Sequence, residues 1–351
     1  MLALLAGAWV DRVRRRPLMI AADVGQLITL GSIPLAAAFD ALTLYQLYAV
    51  ALVTGIFTVA FDVSYLAYVP SLIGREAVVE GNTKLQFSRS VTNLGGPSVA
   101  GLVIQLFGPA RAIAVDSASF LLSALMLLWI RVPEPGLEAS GRSGIRDIGD
   151  GLHFVFAQPV LRSLVVIVGA ATFGFHAFES AEYPFLYERL RLAPGMVGLI
   201  LSAGGVGALG GIFLTAQIIR AVGVGPAIGW SGFVQGIGVA ALSLAVVLPP
   251  VPTLVIFIFI TGFLDPVHNV TQQSLRQGLT PDSLQGRMNA TFRTVYWGAW
   301  PVGNLIGGIL ATRVGLVETI LLGGAWGAII SLLVFATPLR QVREHPTISA
   351  Q

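Results

Sequence analysis

Apolar stretches of about 20 residues, separated by short polar breaks, make up most of this sequence. A helix of about 20 apolar residues crosses the hydrocarbon core of a bilayer. The run 221–264 contains no charged residue, and Pro249, Pro250 and Pro252 divide it into two such helices. The pattern predicts ten membrane-spanning helices, near 17–39, 41–65, 90–110, 112–130, 163–181, 195–218, 224–248, 253–275, 294–312 and 315–338.

The first ten residues form a shorter apolar segment, which is followed by Asp11 and four nearby arginines. A secretory signal peptide carries its positive charge before the apolar stretch rather than after it. The sequence therefore predicts the end of a helix whose beginning lies upstream of Met1.

One polar stretch, 131–160, interrupts the apolar pattern and is rich in proline, glycine and mixed charges. Its second part, 145–160, has the spacing of an amphipathic helix that lies on a membrane surface. We expect an incomplete N-terminal helical bundle over 1–130, a cytoplasmic linker over 131–160, a C-terminal helical bundle over 161–339 and a cytoplasmic tail over 340–351.

The two halves repeat each other at an offset of 207 residues. The shift superimposes Asn82 on Asn289, Gly96 on Gly303, Gly101 on Gly308, and Gly108 on Gly315. Shared small-residue helix packing is the simpler alternative explanation. Parallel repeats of six helices build one large transporter fold, with the substrate site between the halves. The same shift puts the partners of 163–181 and 195–218 at or before residue 11, so helix 1 and half of helix 2 are expected to be absent.

Composition supports a membrane environment and limits the chemistry. Hydrophobic residues make up 55% and charged residues 11% of the chain, against roughly a quarter charged in soluble proteins. The absence of cysteine excludes disulfides and thiolate metal sites, and the four histidines show no metal-ligand spacing. We expect no metal, no cofactor and no nucleic-acid partner, and a monomer in contact with lipid.

Basic residues divide unequally between the two sides of the predicted topology. Seventeen of the 21 lie on the side of the first arginine cluster, and four lie on the other, namely Arg111, Arg189, Arg191 and Arg313. Cytoplasmic loops carry the excess of arginine and lysine. The split predicts a multi-pass protein of the plasma (inner) membrane with a cytoplasmic C-terminus.

The segment GAWVDRVRRRP at 7–17 resembles the loop signature of the major facilitator superfamily, Gly-x-x-x-Asp-Arg-x-Gly-Arg-Arg. Gly7, Asp11, Arg12, Arg15 and Arg16 match it, whereas Arg14 stands where the family usually has glycine. Further stretches resemble the branch that exports drugs, macrolides and siderophores: Pro70-Ser71-Leu72 followed by Asn82, the segment 96–101, and the segment 276–289.

The resemblance implies an all-α membrane protein of two six-helix bundles that exports a small organic molecule by proton-coupled alternating access. It also implies that Asp11 faces the start of the helix near Gly286 and helps to close the cytoplasmic gate, since a carboxylate is stabilised at a helix N-terminus. The alternative is that the arginines of the loop only fix the topology.

A glycine- and proline-rich pattern lies in the predicted span 90–110 and in its repeat partner. Such residues let helices approach closely and bend. Exporters of the family carry a Gly-Pro motif at this place that is associated with antiport, and this copy is partial. The candidate residues are Gly96, Pro97, Gly101, Pro301, Gly303 and Gly308.

Ionisable groups at membrane depth mark a pathway or a pair. Asp265 lies in mid-span before Pro266, with His268 and Asn269 close behind, and a carboxyl group at low dielectric favours its neutral form. This combination suits proton coupling, and a satisfied helix-packing aspartate is the alternative. His176 and Glu179, one turn apart, are the second candidate site for coupling or for the substrate.

Two other classes of function compete with secondary transport. An ATP-driven pump is disfavoured because the single lysine, Lys84, is not in a phosphate loop. An intramembrane enzyme is disfavoured because Gly-x-Ser-x-Gly and His-Glu-x-x-His are absent, so we expect no enzymatic activity. A truncated remnant without transport activity is the remaining alternative.

Overall fold

The computed structural model describes residues 14–130, 145–281 and 284–343, and these residues form helices joined by short turns, without a strand among them. An all-helical membrane fold was the prediction, and it is confirmed. The helices are α1 (Arg15–Ala38), α2 (Leu44–Phe107), α3 (Pro109–Trp129), α4 (Ile145–Ala157), α5 (Pro159–Pro184), α6 (Pro194–Val222), α7 (Val224–Ala241), α8 (Pro250–Gly278), α9 (Gln285–Arg313) and α10 (Leu316–Leu332).

Within the described ranges, eight helical stretches are long and apolar enough to cross a membrane. They account for eight of the ten predicted spans. The other two predicted spans, 90–110 and 294–312, fall short of this standard. The apolar part of the first is only Leu94–Phe107, and the second contains Asn304 together with tyrosine, tryptophan and glycine residues, which lower its hydropathy. These two segments are the ones that the predicted 207-residue repeat pairs with each other.

The longest helix differs from the prediction. The sequence predicted separate spans at 41–65 and 90–110, whereas α2 runs without a break from Leu44 to Phe107. The residues between the two apolar parts include Glu76, Ala77, Glu80 and Lys84, and these residue types favour helix. The polar stretch therefore continues the helix instead of ending it.

The chain divides into two compact units, which we call the first unit (residues 1–92 and 102–143) and the second unit (residues 93–101 and 144–351). In the first unit α1 packs along α3, and Met19, Tyr68 and Leu127 form a small buried cluster. Residues 131–144, the first part of the predicted linker, lie outside the described residues.

Glycine brings the helices of the second unit into backbone contact. Helix α6 packs on α8, α7 on α10, and α5 on α9. A methyl group at Gly262 of α8 would overlap the backbone of Gly204 in α6, and one at Gly236 of α7 would overlap Ala328 in α10. Membrane helices associate through small residues in this way because burial of apolar surface gives little driving force in lipid.

The predicted amphipathic helix within 145–160 is present as α4, which packs against α9. Val155 is fully buried, whereas Leu152 and Phe156 are exposed. A methyl group at Gly151 would lie 2.8 Å from the carbonyl oxygen of Arg287, so α4 sits directly on the first turn of α9.

Candidate functional site

A cavity of about 310 Å³ lies inside the second unit, among α5, α7, α8, α9 and α10. Much of its wall is apolar or glycine, so the polar side chains stand out. The polar lining includes Gln235, Thr261, Asp265, Asn269, Gln272 and Tyr296. A mostly apolar cavity with a few convergent polar groups is the usual form of a small-molecule site.

Asp265 begins a chain of polar side chains along one face of α8. Asn269 donates a hydrogen bond from Nδ2 to Oδ1 of Asp265 at 2.7 Å, and Gln272 donates from Nε2 to Oδ1 of Asn269 at 3.0 Å. The spacing of four and then three residues keeps these groups on one helix face. The cavity wall therefore contains one carboxylate, which accepts a hydrogen bond from the amide of Asn269. That amide in turn accepts a hydrogen bond from the amide of Gln272.

Proline also leaves one backbone carbonyl of α8 without its helical hydrogen bond at this point. Pro266 lies inside α8, and it has no N–H to donate to the carbonyl of Gly262, four residues earlier. Gly262 and Asp265 both line the cavity. His268, which the sequence placed with Asp265, lines the same cavity, and its Nδ1 lies 3.3 Å from Oγ of Ser231.

His176 and Glu179 form a separate polar centre at the interface of α5 and α9. His176 Nδ1 lies 2.5 Å from Glu179 Oε2, and its ring stacks on Trp300 with centroids 4.7 Å apart. Its Nε2 is buried and has no hydrogen-bond partner among the described residues. The ring of Tyr296 lies between this pair and the cavity, because it contacts the His176 ring and also lines the cavity.

The two copies of the glycine–proline pattern have different neighbours. Gly101 and Pro97 of α2 contact the backbone of α6 at Gly198, and Ser98 Oγ lies 2.7 Å from Ser202 Oγ. These contacts all lie within the second unit.

In the repeat partner, Gly303 packs on α5 at the carbonyl of Phe173. A methyl group at Gly308 would meet no described atom within 4 Å. Pro301 is exposed and Gly96 is partly buried. The two halves of the pattern therefore do not meet in one site.

Part of the loop motif lies outside the described residues, namely Gly7, Asp11 and Arg12. Arg15 and Arg16 begin α1. Arg16 donates from Nε to the carbonyl of Leu127 at 2.8 Å and from an Nη to the carbonyl of Leu128 at 2.7 Å. The last carbonyls of a helix have no partner within the helix, so Arg16 caps α3.

A second cavity, of about 570 Å³, adjoins the first and lies between the end of α8 and the start of α9. Gln272, Asn269 and Tyr296 line both cavities. Two arginines, Arg276 and Arg293, line only the second.

Asp265, His268 and Asn269 were singled out from the sequence, and all three line the cavity, whereas the rest of its wall was not expected. Gln235 had a usable signal, since it is the single amide in the charge-free run 221–264. Gln272 and Tyr296 had none, because their role depends on which helices pack together. The glycines of the wall also gave no signal among 41 in the chain.

Comparison with known proteins also indicates a membrane transporter. The family model described as transmembrane secretion effector matches residues 1–351. The multidrug efflux pump Tap of Mycolicibacterium fortuitum is 28% identical over 91% of this chain and 79% of its own length. The enterobactin exporter EntS of Salmonella typhimurium is 23% identical over 99% of this chain and 83% of its own.

Solved structures agree at the level of the fold. A bacterial homologue of the iron transporter ferroportin, in an inward-facing state, matches with a TM-score of 0.70 at 16% identity, over 95% of this chain and 86% of its own. A D-xylose–proton symporter matches with a TM-score of 0.64 at 17% identity, over 99% of this chain and 88% of its own. The family and these relatives are transporters, not enzymes. The chain is therefore a multi-pass membrane transporter of small molecules and belongs to the transmembrane secretion effector family of the major facilitator superfamily.

Proposed function

We propose that this transporter exports a small organic molecule across the bacterial plasma membrane by alternating access, driven by protons that move inwards. The direction is supported by the two kinds of relative, a multidrug efflux pump and an enterobactin exporter. Both come from bacteria, which supports the plasma membrane as its location. The unequal split of basic residues supports a cytoplasmic C-terminus.

The observation that carries the proton coupling is the position of Asp265 in the wall of the cavity. A carboxylate at the bilayer centre is unfavourable by about 2.5–3.5 kcal/mol on insertion scales. Facing a polar cavity reduces this cost, and the amide of Asn269 supports the carboxylate at 2.7 Å. A carboxyl group that is hydrated in one conformation and sealed in another changes its proton affinity between the two, as antiport requires.

Substrate and proton would share one cavity. The aromatic and amide side chains of the wall, such as Phe175, Gln235 and Tyr296, suit a ring-containing molecule with hydrogen-bonding groups. Protonation of Asp265 would change the charge and the hydrogen bonds of the cavity wall, so binding of the proton and binding of the substrate influence each other. His176 and Glu179 are a second candidate for proton binding, outside the cavity wall.

The loop motif and the glycine–proline pattern complete the proposal. Asp11 acts in the cytoplasmic gate, as the family resemblance implies. Gly96, Pro97 and Gly101 with the contact at Gly198 give a close helix crossing at which α2 and α6 slide or tilt. Pro301, Gly303 and Gly308 are the corresponding positions of α9.

Replacing Asp265 by asparagine tests the coupling. Asparagine keeps the size of the side chain and a hydrogen-bonding oxygen but cannot take up a proton. We expect the D265N protein to fold and insert normally and to lose proton-driven export. The measurement is uptake of a fluorescent drug into inside-out vesicles under an imposed pH gradient, because export carries the drug into such vesicles. Glu318→Gln is the matched control, because Glu318 is an exposed carboxylate of the same unit.

Unchanged export by D265N under the pH gradient would remove Asp265 from the mechanism. The same assay on Glu179→Gln would then test the second candidate pair. Absence of export by the unaltered protein, across a panel of drugs and siderophores, would contradict the proposed function itself.

A further inference from the structure

The second cavity differs from the first in the sign of its charge. Arg276 and Arg293 line it together with the amides of Asn269, Gln272, Gln273, Gln277 and Asn289. No carboxylate belongs to its wall among the described residues. Asp265, in the first cavity, is 11 residues before Arg276 on α8, which is about 16 Å along a helix.

Aromatic rings hold both guanidinium groups in place. The Cζ atom of Arg276 lies 5.1 Å from the centre of the Phe292 ring, and that of Arg293 lies 5.2 Å from the centre of the Trp297 ring. Stacking on a ring face fixes the plane of a guanidinium and leaves its N–H edges free to bind a planar oxygen anion. The Nε of Arg276 is buried and has no hydrogen-bond partner among the described residues.

Arg220 shows how an arginine at a helix end behaves without such a site. It is exposed at the end of α6, and its Nε donates to the carbonyl of Ala216 in its own helix, at 3.2 Å. Arg276 occupies the corresponding place near the end of α8, yet its Nε makes no such bond. A role limited to membrane topology does not require this arrangement.

A second polar group in the wall also lacks a partner. Gln272 is 6% exposed, and its Oε1 has no hydrogen bond among the described residues. An unpaired buried carbonyl oxygen is unfavourable because it has lost its hydrogen bond to water, so a hydroxyl or N–H group of a ligand would stabilise it. The first turns of α9, at Gly286 and Asn289, add the positive end of a helix dipole to the same wall.

From this geometry we infer that the second cavity binds an anionic oxygen group of the exported molecule, of the carboxylate, sulfonate or phosphate class, with a hydroxyl or N–H donor nearby that reaches Gln272. The inference rests on the proposed export function and names its substrate class: amphiphilic organic anions. A phospholipid headgroup carries the same chemistry, so the experiment must separate the two sources.

Binding of 2-naphthoate to the purified full chain in phosphatidylcholine nanodiscs tests the site. Its neutral isostere 2-naphthamide has the same ring system, and tryptophan fluorescence reports binding because Trp297 stacks on Arg293. Losing a hydrogen bond to a charged group weakens binding by about 10- to 100-fold. We expect Arg276→Gln to weaken naphthoate binding by this factor, Arg276→Lys to weaken it less, and naphthamide binding to stay the same.

Arg220→Gln is the matched control and should leave both affinities unchanged. If Arg276→Gln fails to fold, as judged by its melting temperature, Arg293→Gln replaces it with the same expectation. Equal naphthoate affinity in the unaltered and Gln variants, or no binding to the unaltered protein, would overturn the inference.

Two further measurements separate the remaining outcomes. Loss of bound phosphatidylglycerol from Arg276→Gln in mass spectra, with naphthoate binding unchanged, would assign the site to lipid and reject a substrate role. In cells, export of the cation ethidium by the unaltered protein without naphthoate binding would reject only the anion site. Naphthoate binding without export of any compound would reject the proposed function and leave the site.

Discussion

Arg16 has a structural task that its place in the loop motif does not reveal. Its two hydrogen bonds reach the carbonyls of Leu127 and Leu128, 111 and 112 residues away in the chain. From the sequence we expected this motif to close a gate or to fix the topology, and we did not expect it to cap a helix. No local pattern signals such a bond, because the end of α3 meets the start of α1 only after the helices pack.

We predict that the residues of the loop motif separate by experiment. Arg16→Ala should lower stability by about 2–4 kcal/mol, because two charge-assisted hydrogen bonds are lost. Asp11→Asn should reduce export while leaving the melting temperature unchanged, because it removes only a charge. Thermal melts and vesicle efflux measure the two effects, and Arg14→Ala is the control at an exposed position. Equal effects of all three variants on export and melting would contradict the separation.

Asp265 is the lining residue of the cavity that stands out most clearly in the sequence. A carboxylate in the middle of an apolar run is visible in any hydropathy plot, and Pro266 beside it marks the break. Its partner Asn269 follows from helical spacing. The contacts of His268 did not follow, since Ser231 belongs to another helix. Helical periodicity predicts which residues are neighbours on one helix. Neighbours on two different helices can be identified only once the fold is known.

At the scale of elements, the two Gly-Pro segments show how one sequence pattern is used in two ways. The segment in α2 meets α6 through Gly101, and the segment in α9 meets α5 through Gly303 and Gly307. The predicted repeat pairs Gly101 with Gly308, and Gly101 packs against α6 whereas Gly308 has open space, so the two segments use this position differently. The sequence predicts the repeat, but it carries no signal for the choice of neighbour.

Alanine at Gly101 should disturb the crossing of α2 and α6, since its methyl group would overlap the carbonyl of Pro194 and lie 3.0 Å from Gly198 Cα. Overpacking of this kind costs about 1–3 kcal/mol. Gly95→Ala is the matched control six residues earlier on α2, where a methyl group meets nothing within 4 Å. We expect G101A to show slower export and a lower melting temperature, and G95A to match the unaltered protein. Identical efflux rates for the two variants would show that the crossing has no influence on the cycle.

The continuous helix α2 shows where sequence patterns mislead at this scale. Hydropathy gave two spans, and both apolar parts are helical, but the polar part between them is helical as well. Hydropathy separates membrane from water, and it carries no information on whether a helix ends at that boundary.

At the scale of the whole molecule, composition alone predicted a membrane environment, and the loop motif predicted the superfamily. The cavity could not be predicted from the sequence, because its wall is assembled from five helices of the second unit. Six of its lining residues are glycines: Gly232, Gly236, Gly262, Gly323, Gly324 and Gly327. At five of them an added methyl group would overlap a neighbouring helix, and Gly327 has room, with Gly236 Cα at 3.8 Å as its nearest neighbour.

Valine at Gly327 should therefore narrow the cavity without damaging the fold. We expect G327V to retain export of small substrates and to lose export of large ones, since the added side chain occupies part of about 310 Å³. The control is Ile329→Phe, which adds volume at an exposed position of the same helix. Efflux of a series of drugs of increasing size from intact cells measures the shift. Equal loss across all sizes would indicate a folding defect or a site elsewhere.

The glycine wall also restricts how the substrate range of this transporter can evolve. Every mutation of a glycine adds atoms, and at Gly327, the lining glycine with room, the added atoms reduce the space for a substrate. Selection for transport of bulkier compounds would instead require smaller residues in place of large lining side chains, such as Phe175 or Tyr296. One mutation can therefore narrow the range of substrates, whereas widening it again requires reversion or a mutation in another helix.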